Sequence, residues 1–263
     1  MKISVCELPN LLSANSNEWW SFVSRLESAK PSFLVMNEMP FGPWLAANAQ
    51  YDDAKARESF ESHDFSGLPL QSMTVLSSRP VPAKSGRLCN EAFVMSESGY
   101  KAVHQKHYFP EEPGFFEQSW FDTEKIGFDV AHVGDVGFGF LLCTELMFLE
   151  WARHYGRSGA SVIVVPRATR TASIAHWKAA ASIAAVTSGC YVASSNRRGP
   201  LSESASFGGS GFIFGPDGRL LAETSAATPL VTVDIDLEFV QQCKLKYPCY
   251  VDQTAGQQAA MLA

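Results

Sequence analysis

Short apolar runs recur along this chain with helix-patterned segments between them, and that alternation constrains its fold more than any other feature. Residues 2–8 (KISVCEL), 32–38 (SFLVMNE), 74–79, 88–96 and 100–106 are β-rich and bounded by turn residues, and 137–143, 161–166, 191–196, 211–214, 219–223 and 230–236 repeat the pattern. Several are apolar at nearly every position, which suits strands covered on both faces. Gly215-Pro216-Asp217-Gly218 supplies a hairpin turn, because proline presets φ and glycine accepts positive φ. Behind Ser16-Asn17-Glu18, Trp19, Phe22, Val23 and Leu26 recur at helical spacing. Residues 145–157 carry Leu146, Leu149, Trp151, Ala152 and Tyr155, and 172–188 are alanine-rich around Ile174, Trp177, Ala181, Ile183 and Ala184. Alternation of the two kinds predicts an α/β chain with helices packed on its sheets. A single domain over 1–263 is expected, with 45–70 irregular around a short helix and 250–263 a C-terminal tail or an arm on a partner subunit.

Composition narrows the functional classes. Charged residues are 18% and apolar residues 46% of the chain, so most of it is expected to pack rather than stay disordered. The net charge is −6 with no basic run, which argues against nucleic acid or an anionic membrane as partner. Six cysteines in 263 residues are too sparse for a disulfide framework, and none forms a C-x-x-C pair that would suggest structural zinc. The N-terminus MKISVCELPNLL lacks a signal-peptide pattern, and no apolar run reaches membrane-spanning length. A reduced, cytoplasmic globular protein is expected, with Cys6, Cys89, Cys190, Cys243 and Cys249 as packing residues.

Cys143 stands apart. It ends the strand run 137–142 and precedes a helix expected to begin near Thr144 or Glu145. A helix N-terminus offers partial positive charge and free N–H groups, which lowers a thiol's pKa, and a sharp strand-to-helix turn exposes a side chain. Two other strand-end charges share this character. Glu38 closes Phe33-Leu34-Val35-Met36-Asn37, where a partly desolvated carboxylate can act as a general base. Lys106 closes Tyr100 to Gln105, where an ammonium can stabilise an oxyanion formed by thiolate attack on a carbonyl or nitrile carbon. His104 and His107 show no third metal ligand nearby in sequence and are expected to pack in strand and loop.

Glu38, Lys106 and Cys143, in that order, resemble the nitrilase, or carbon–nitrogen hydrolase, superfamily. The segments Phe33 to Met39, Gln105 to Pro110 and Gly139 to Glu145 are similar to its glutamate, lysine and cysteine motifs. Ser195-Asn196-Arg197, Phe207 to Gly218 and Val233 to Leu237 resemble its second-half strands, so the likeness runs over roughly residues 2–240. The resemblance implies a four-layer α-β-β-α sandwich, usually dimeric or a higher homo-oligomer, with no metal and no organic cofactor. It implies that Cys143 forms a thioester, that Glu38 moves the protons, and that Lys106 and the Thr144 N–H hold the oxyanion. It further implies a second glutamate that orients substrate and lysine. Glu117, framed by Phe115, Phe116, Trp120 and Phe121, fits that place better than Glu111 or Glu112 in their Pro-Glu-Glu-Pro turn.

Thr144 replaces the aromatic residue that nitrilases proper and many amidases carry after the cysteine, which weakens a nitrile-hydrolysing reading, while Glu145 is shared with nitrilases. Leu146-Met147-Phe148 occupies the place of the arginines that mark D-carbamoylases. Arg167 or Arg170 could instead grip a substrate carboxylate or amide through bidentate bonds, and Phe41, Trp44 and Trp120 could wall the pocket. The expectation is therefore an amidase or N-carbamoyl amidohydrolase acting on a small amide or ureido substrate. A nitrilase and a catalytically silent binding protein are the alternatives.

Overall fold

A computed structural model describes residues 1–252 apart from residues 71 and 204. The first half contributes β1 (Lys2–Pro9), α1 (Asn17–Ala29), β2 (Phe33–Val35), α2 (Asp53–Ser62), β3 (Thr74–Pro82), β4 (Leu88–Ser96) and β5 (Gly99–Gln105). Its strands lie in the order β5-β4-β3-β2-β1, parallel from β1 to β3 and antiparallel across β3-β4 and β4-β5. A connecting stretch forms a small hairpin, β6 (Glu111–Glu112) with β7 (Phe115–Phe116), and one helical turn, α3 (Glu117–Trp120).

The second half opens with β8 (Ala131–Val133), β9 (Val136–Phe140), α4 (Leu149–Arg157), β10 (Val162–Arg167), α5 (Ile174–Ser188) and β11 (Tyr191–Pro200). It closes with β12 (Ser206–Gly208), β13 (Phe212–Phe214), β14 (Leu220–Glu223), β15 (Leu230–Asp234) and α6 (Leu237–Lys244). β9, β10 and β11 run parallel, and β13 and β14 extend the sheet antiparallel through the expected Gly215–Gly218 turn. β15 returns to the first sheet beside β1. The last residues of β1, Glu7–Pro9, pair with Asn196–Arg198 of β11 and tie the two sheets together.

Side-chain parity creates the layers, since alternate residues of a strand face opposite sides. Ile3, Val5, Phe33 and Val35 meet Phe138, Phe140, Val162 and Val164 in the core between the sheets. On the outer face of the first sheet, Leu34, Met36 and Val75 pack against Trp19, Phe22, Val23 and Leu26 of α1. On the outer face of the second, Ile163, Val165 and Val192 pack against Ala181, Ala184 and Ala185 of α5. The result is the expected four-layer α-β-β-α sandwich. Gly139 sets one spacing: a Cβ there would lie 2.3 Å from the Tyr155 ring, which lies close against β9 and donates its hydroxyl to Phe140 O at 2.9 Å.

The sequence boundaries shift at the functional end. β2 stops at Val35 rather than at 38, β9 stops at Phe140 rather than at 143, and the regular helix α4 begins at Leu149 rather than at 145. Because β2, β3, β5, β9, β10 and β1 all point the same way, the irregular segments after their C-terminal ends gather at one end of the sandwich. In parallel sheets that is where ligands bind. Of the expected arm, only Tyr250, Val251 and Asp252 are described, with Tyr250 exposed; residues 253–263 lie outside the described residues. Among the described residues no helix is long and apolar enough to cross a membrane.

Candidate active site

Glu38 follows β2 by three residues and is fully buried. The turn beneath it is held from several directions. Ser77 donates to Asn37 O at 3.1 Å, Met39 N–H donates to Ser78 Oγ at 3.3 Å, and Met39 takes a left-handed φ of 43°. Arg197, on β11, donates to the backbone carbonyls of Glu38, Met39 and Gly42. The carboxylate Oε1 accepts from Lys106 Nζ at 2.8 Å and from Asn90 Nδ2 at 2.8 Å, whereas Oε2 has no hydrogen-bond partner. One oxygen is thus anchored and the other free to exchange a proton.

Lys106 lies one residue beyond β5 and is also fully buried. Its Nζ donates to Glu38 Oε1 and, at 2.5 Å, to Glu117 Oε2. Burial alone would push the ammonium down, but the carboxylates of Glu117 and Glu38 outweigh it and hold Lys106 above its ordinary value. Glu117 sits at the start of α3, fixed where its N–H donates to Pro110 O at 2.9 Å. Burial raises its carboxyl to about 8 against the opposing pull of Lys106.

Cys143 opens a 3₁₀ turn (Cys143–Met147) with a φ of 50°, a left-handed conformation that disfavours any side chain and marks strained, functional turns. Its thiol is 3% exposed and lies within the field of Glu38, Lys106 and Glu117. Here the structure corrects the sequence expectation. No regular helix begins at the cysteine, and burial, reinforced by Glu38, pushes the thiol well above its ordinary value while Lys106 pulls it down. The resting group is a thiol with a carboxylate and an ammonium at hand. Such a set can remove a proton from sulfur as it attacks, and can stabilise negative charge that develops on the attacked group.

A cleft of about 390 Å³ opens over this cluster, lined by Glu117, Cys143, Thr144, Phe115, Arg170 and Trp177 among others. A scan against families of known proteins matches residues 47–245, more than half of the chain, to the carbon–nitrogen hydrolases. The chain belongs to the carbon–nitrogen hydrolase family. A 2-oxoglutaramate amidase of Bacillus subtilis (strain 168) is 30% identical over 112 residues, 43% of either chain. An omega-amidase of Xenopus tropicalis is 28% identical over 170 residues, 62% of either chain. The matched segments thus span less than two thirds of these relatives. The crystal structure of a carbon–nitrogen hydrolase from Helicobacter pylori G27 shares the fold with a TM-score of 0.81 at 18% identity, covering 100% of this chain and 98% of that one.

In this carbon–nitrogen hydrolase the fold brings Glu38, Lys106, Glu117 and Cys143 into one buried cluster and puts Thr144 and Arg170 in the cleft wall. Four other sequence candidates lie elsewhere. Arg167 shares the parity of Ile163 and Val165, so it points under α5; it is fully buried, donates to Ser194 Oγ at 2.6 Å and Ser210 O at 2.8 Å, and lies 4.3 Å over the Phe212 ring. Phe41 packs on the α1 side against Trp19 and Phe65. Trp120 packs at a tilt against Tyr51 and donates to Asn48 O at 2.7 Å. Trp44 packs beside Phe115 and Phe207. Sequence reading missed Asn90, the second donor to Glu38. Its signal was a lone amide sharing the inward parity of Leu88, Ala92 and Val94. It also missed the cleft walls Phe115 and Trp177, whose aromatic character pointed equally to ordinary packing.

Proposed function

We propose that this hydrolase cleaves the non-peptide C–N bond of a small amide through a thioester on Cys143, as an amidase-like member of its family. The observation that carries the reading is the buried Glu38–Lys106–Glu117 cluster beside a thiol held in a left-handed turn on the cleft floor. Cys143 Sγ attacks the amide carbon while its proton passes to the free Oε2 of Glu38. Lys106 Nζ and the Thr144 N–H take the oxyanion. Collapse breaks the C–N bond and Glu38 returns the proton to the departing ammonia. Glu38 then draws a proton from water as it adds to the thioester, and collapse restores the thiol and releases the acid. Glu117 holds Lys106 in line throughout.

Arg170 bears on substrate choice. Its guanidinium lies 4.9 Å over the Phe115 ring and donates to Pro113 O, while its buried Nε has no hydrogen-bond partner. We read it as the contact for a substrate carboxylate, a chemistry that the amide named in 2-oxoglutaramate amidase also supports. Ammonia release from a panel of neutral amides, carboxylate-bearing amides, ureido acids and nitriles tests the reading. Turnover of amides, with an acyl adduct on Cys143 by intact mass and none in Cys143→Ala, is the expected result. Nitriles consumed while amides are untouched would make it a nitrilase. No turnover and no adduct on any of them would leave a silent binding protein.

A further inference from the structure

Outside the Glu38–Lys106–Glu117 cluster, one more buried carboxylate ties together two of the segments that build the site. Glu145 is fully buried, two residues past Cys143. Its Oε2 accepts from Leu142 N–H at 2.7 Å and from His104 Nε2 at 2.8 Å, and its Oε1 accepts from His107 N–H at 2.7 Å. Leu142 immediately precedes the nucleophile, and His104 and His107 flank Lys106. A single side chain therefore fastens the cysteine turn to the end of β5.

The two histidines are bonded differently. His104 Nδ1 faces Gly127 O at 3.1 Å, so both of its ring nitrogens are engaged. His107 is stacked on it at 5.2 Å between ring centres and has a different pattern. Its Nδ1 faces Gln105 O at 2.6 Å, while its Nε2 accepts from Gly127 N–H at 3.2 Å, which asks for a neutral ring. Burial, and after it the neighbouring His104, hold His107 below its ordinary pKa, in keeping with that neutral ring. Ligand-type atoms of His104, His107 and Glu145 lie within 4.8 Å of one another. The fold thus supplies the third side chain that sequence spacing did not show, but these side chains are already engaged in hydrogen bonds and form a clamp.

We propose that Glu145 and His104 are positioning residues that hold the Cys143 turn in register with Lys106, and so set where the sulfur stands relative to the ammonium. A left-handed φ at a non-glycine residue persists only where its surroundings enforce it. At Cys143 the bonds from Leu142 and His104 to Glu145 provide that enforcement. A misplacement of about 1 Å at a nucleophile costs on the order of 100-fold in rate.

The proposal rests on the thiol chemistry above, and two readouts keep the two questions apart. One is kcat and KM on the best amide of the panel; the other is the rate at which iodoacetamide alkylates Cys143, which needs no substrate. In Glu145→Gln and His104→Leu, kcat and the alkylation rate both fall on the order of 100-fold while KM stays close to wild type. His104→Gln, which keeps one donor toward Glu145, recovers most of the loss and also serves if the harsher variants do not fold. Folded variants with lower melting temperature but unchanged kcat and alkylation would overturn the proposal, as would a rise in KM alone. If the wild type hydrolyses nothing, the proposed function fails and the alkylation series still decides the clamp.

Discussion

Replacing Lys106 by methionine tests whether the buried cluster is balanced as the structure implies. The side chain is fully buried and bonds to Glu38 at 2.8 Å and Glu117 at 2.5 Å. Removing it leaves Glu38 Oε1 with only Asn90 and leaves Glu117 Oε2 without that donor. Breaking a buried pair by deleting one partner destabilises by about 3–5 kcal/mol. The carboxylates can offset part of this by binding a proton in the folded state. In the wild type burial raises the Glu117 carboxyl and Lys106 pulls it back to about 8, so without the ammonium that carboxyl rises further. Unfolded glutamates are ionised above about pH 5, so above about pH 8 the Glu117 proton is held by the folded variant and not by the folded wild type. The variant's stability must then fall relative to wild type as pH rises above about 8, by up to ~1.4 kcal/mol per pH unit. Urea denaturation of both proteins across that range measures the difference. Parallel stability curves, or a loss below ~1 kcal/mol throughout, would refute a Lys106 that balances buried charge. The same variant loses about 100- to 1,000-fold in kcat if its ammonium holds the oxyanion.

Glu117→Gln has the opposite signature. Because the folded carboxyl is raised to about 8 from 4.5, the wild type gains stability at low pH that it loses as pH rises between those values; the melting temperature of the glutamine variant should fall less from pH 6 to 9, and parallel curves would speak against it. Arg170→Ala should raise KM for carboxylate-bearing amides about tenfold, the size of one lost charge-assisted hydrogen bond, and leave neutral amides unchanged; an equal effect on both classes removes the specificity role. Gly139→Ala should destabilise by ~1–3 kcal/mol through overpacking, because the new Cβ meets the Tyr155 ring at 2.3 Å; a urea midpoint equal to wild type would contradict that packing.

Much of the sandwich was legible because its strands are covered on both faces and carry apolar residues at both parities, as Val162 to Val165 do. The strand ends were not. Met36 and Leu141 each donate one more cross-strand bond past the ends of β2 and β9, to Leu76 O and Val164 O, and with Leu142 they stay buried, so the apolar run outlasts the paired strand. The hairpin at 111–116 and the turn at 117–120 are too short to carry any periodicity. Arg167 was placed by its loop position when its parity with Ile163 and Val165 already assigned it to the helix-covered side.

The thiol marks the deeper limit. Proximity to a helix start suggested a lowered pKa, yet depth decides the sign, and depth is a property of the assembled layers that no local motif records. Once Cys143 is buried beside Glu38, desolvation and a neighbouring negative charge both favour the protonated form. Such burial favours the thiol over the thiolate before substrate arrives. In the proposed reaction its activation comes with the encounter, by proton transfer to Glu38 while Lys106 meets the developing oxyanion. This makes the distance between sulfur and ammonium the quantity under control, and the Glu145–His104 pair, which joins those two segments, the place where substitution should change the rate without touching either reacting group.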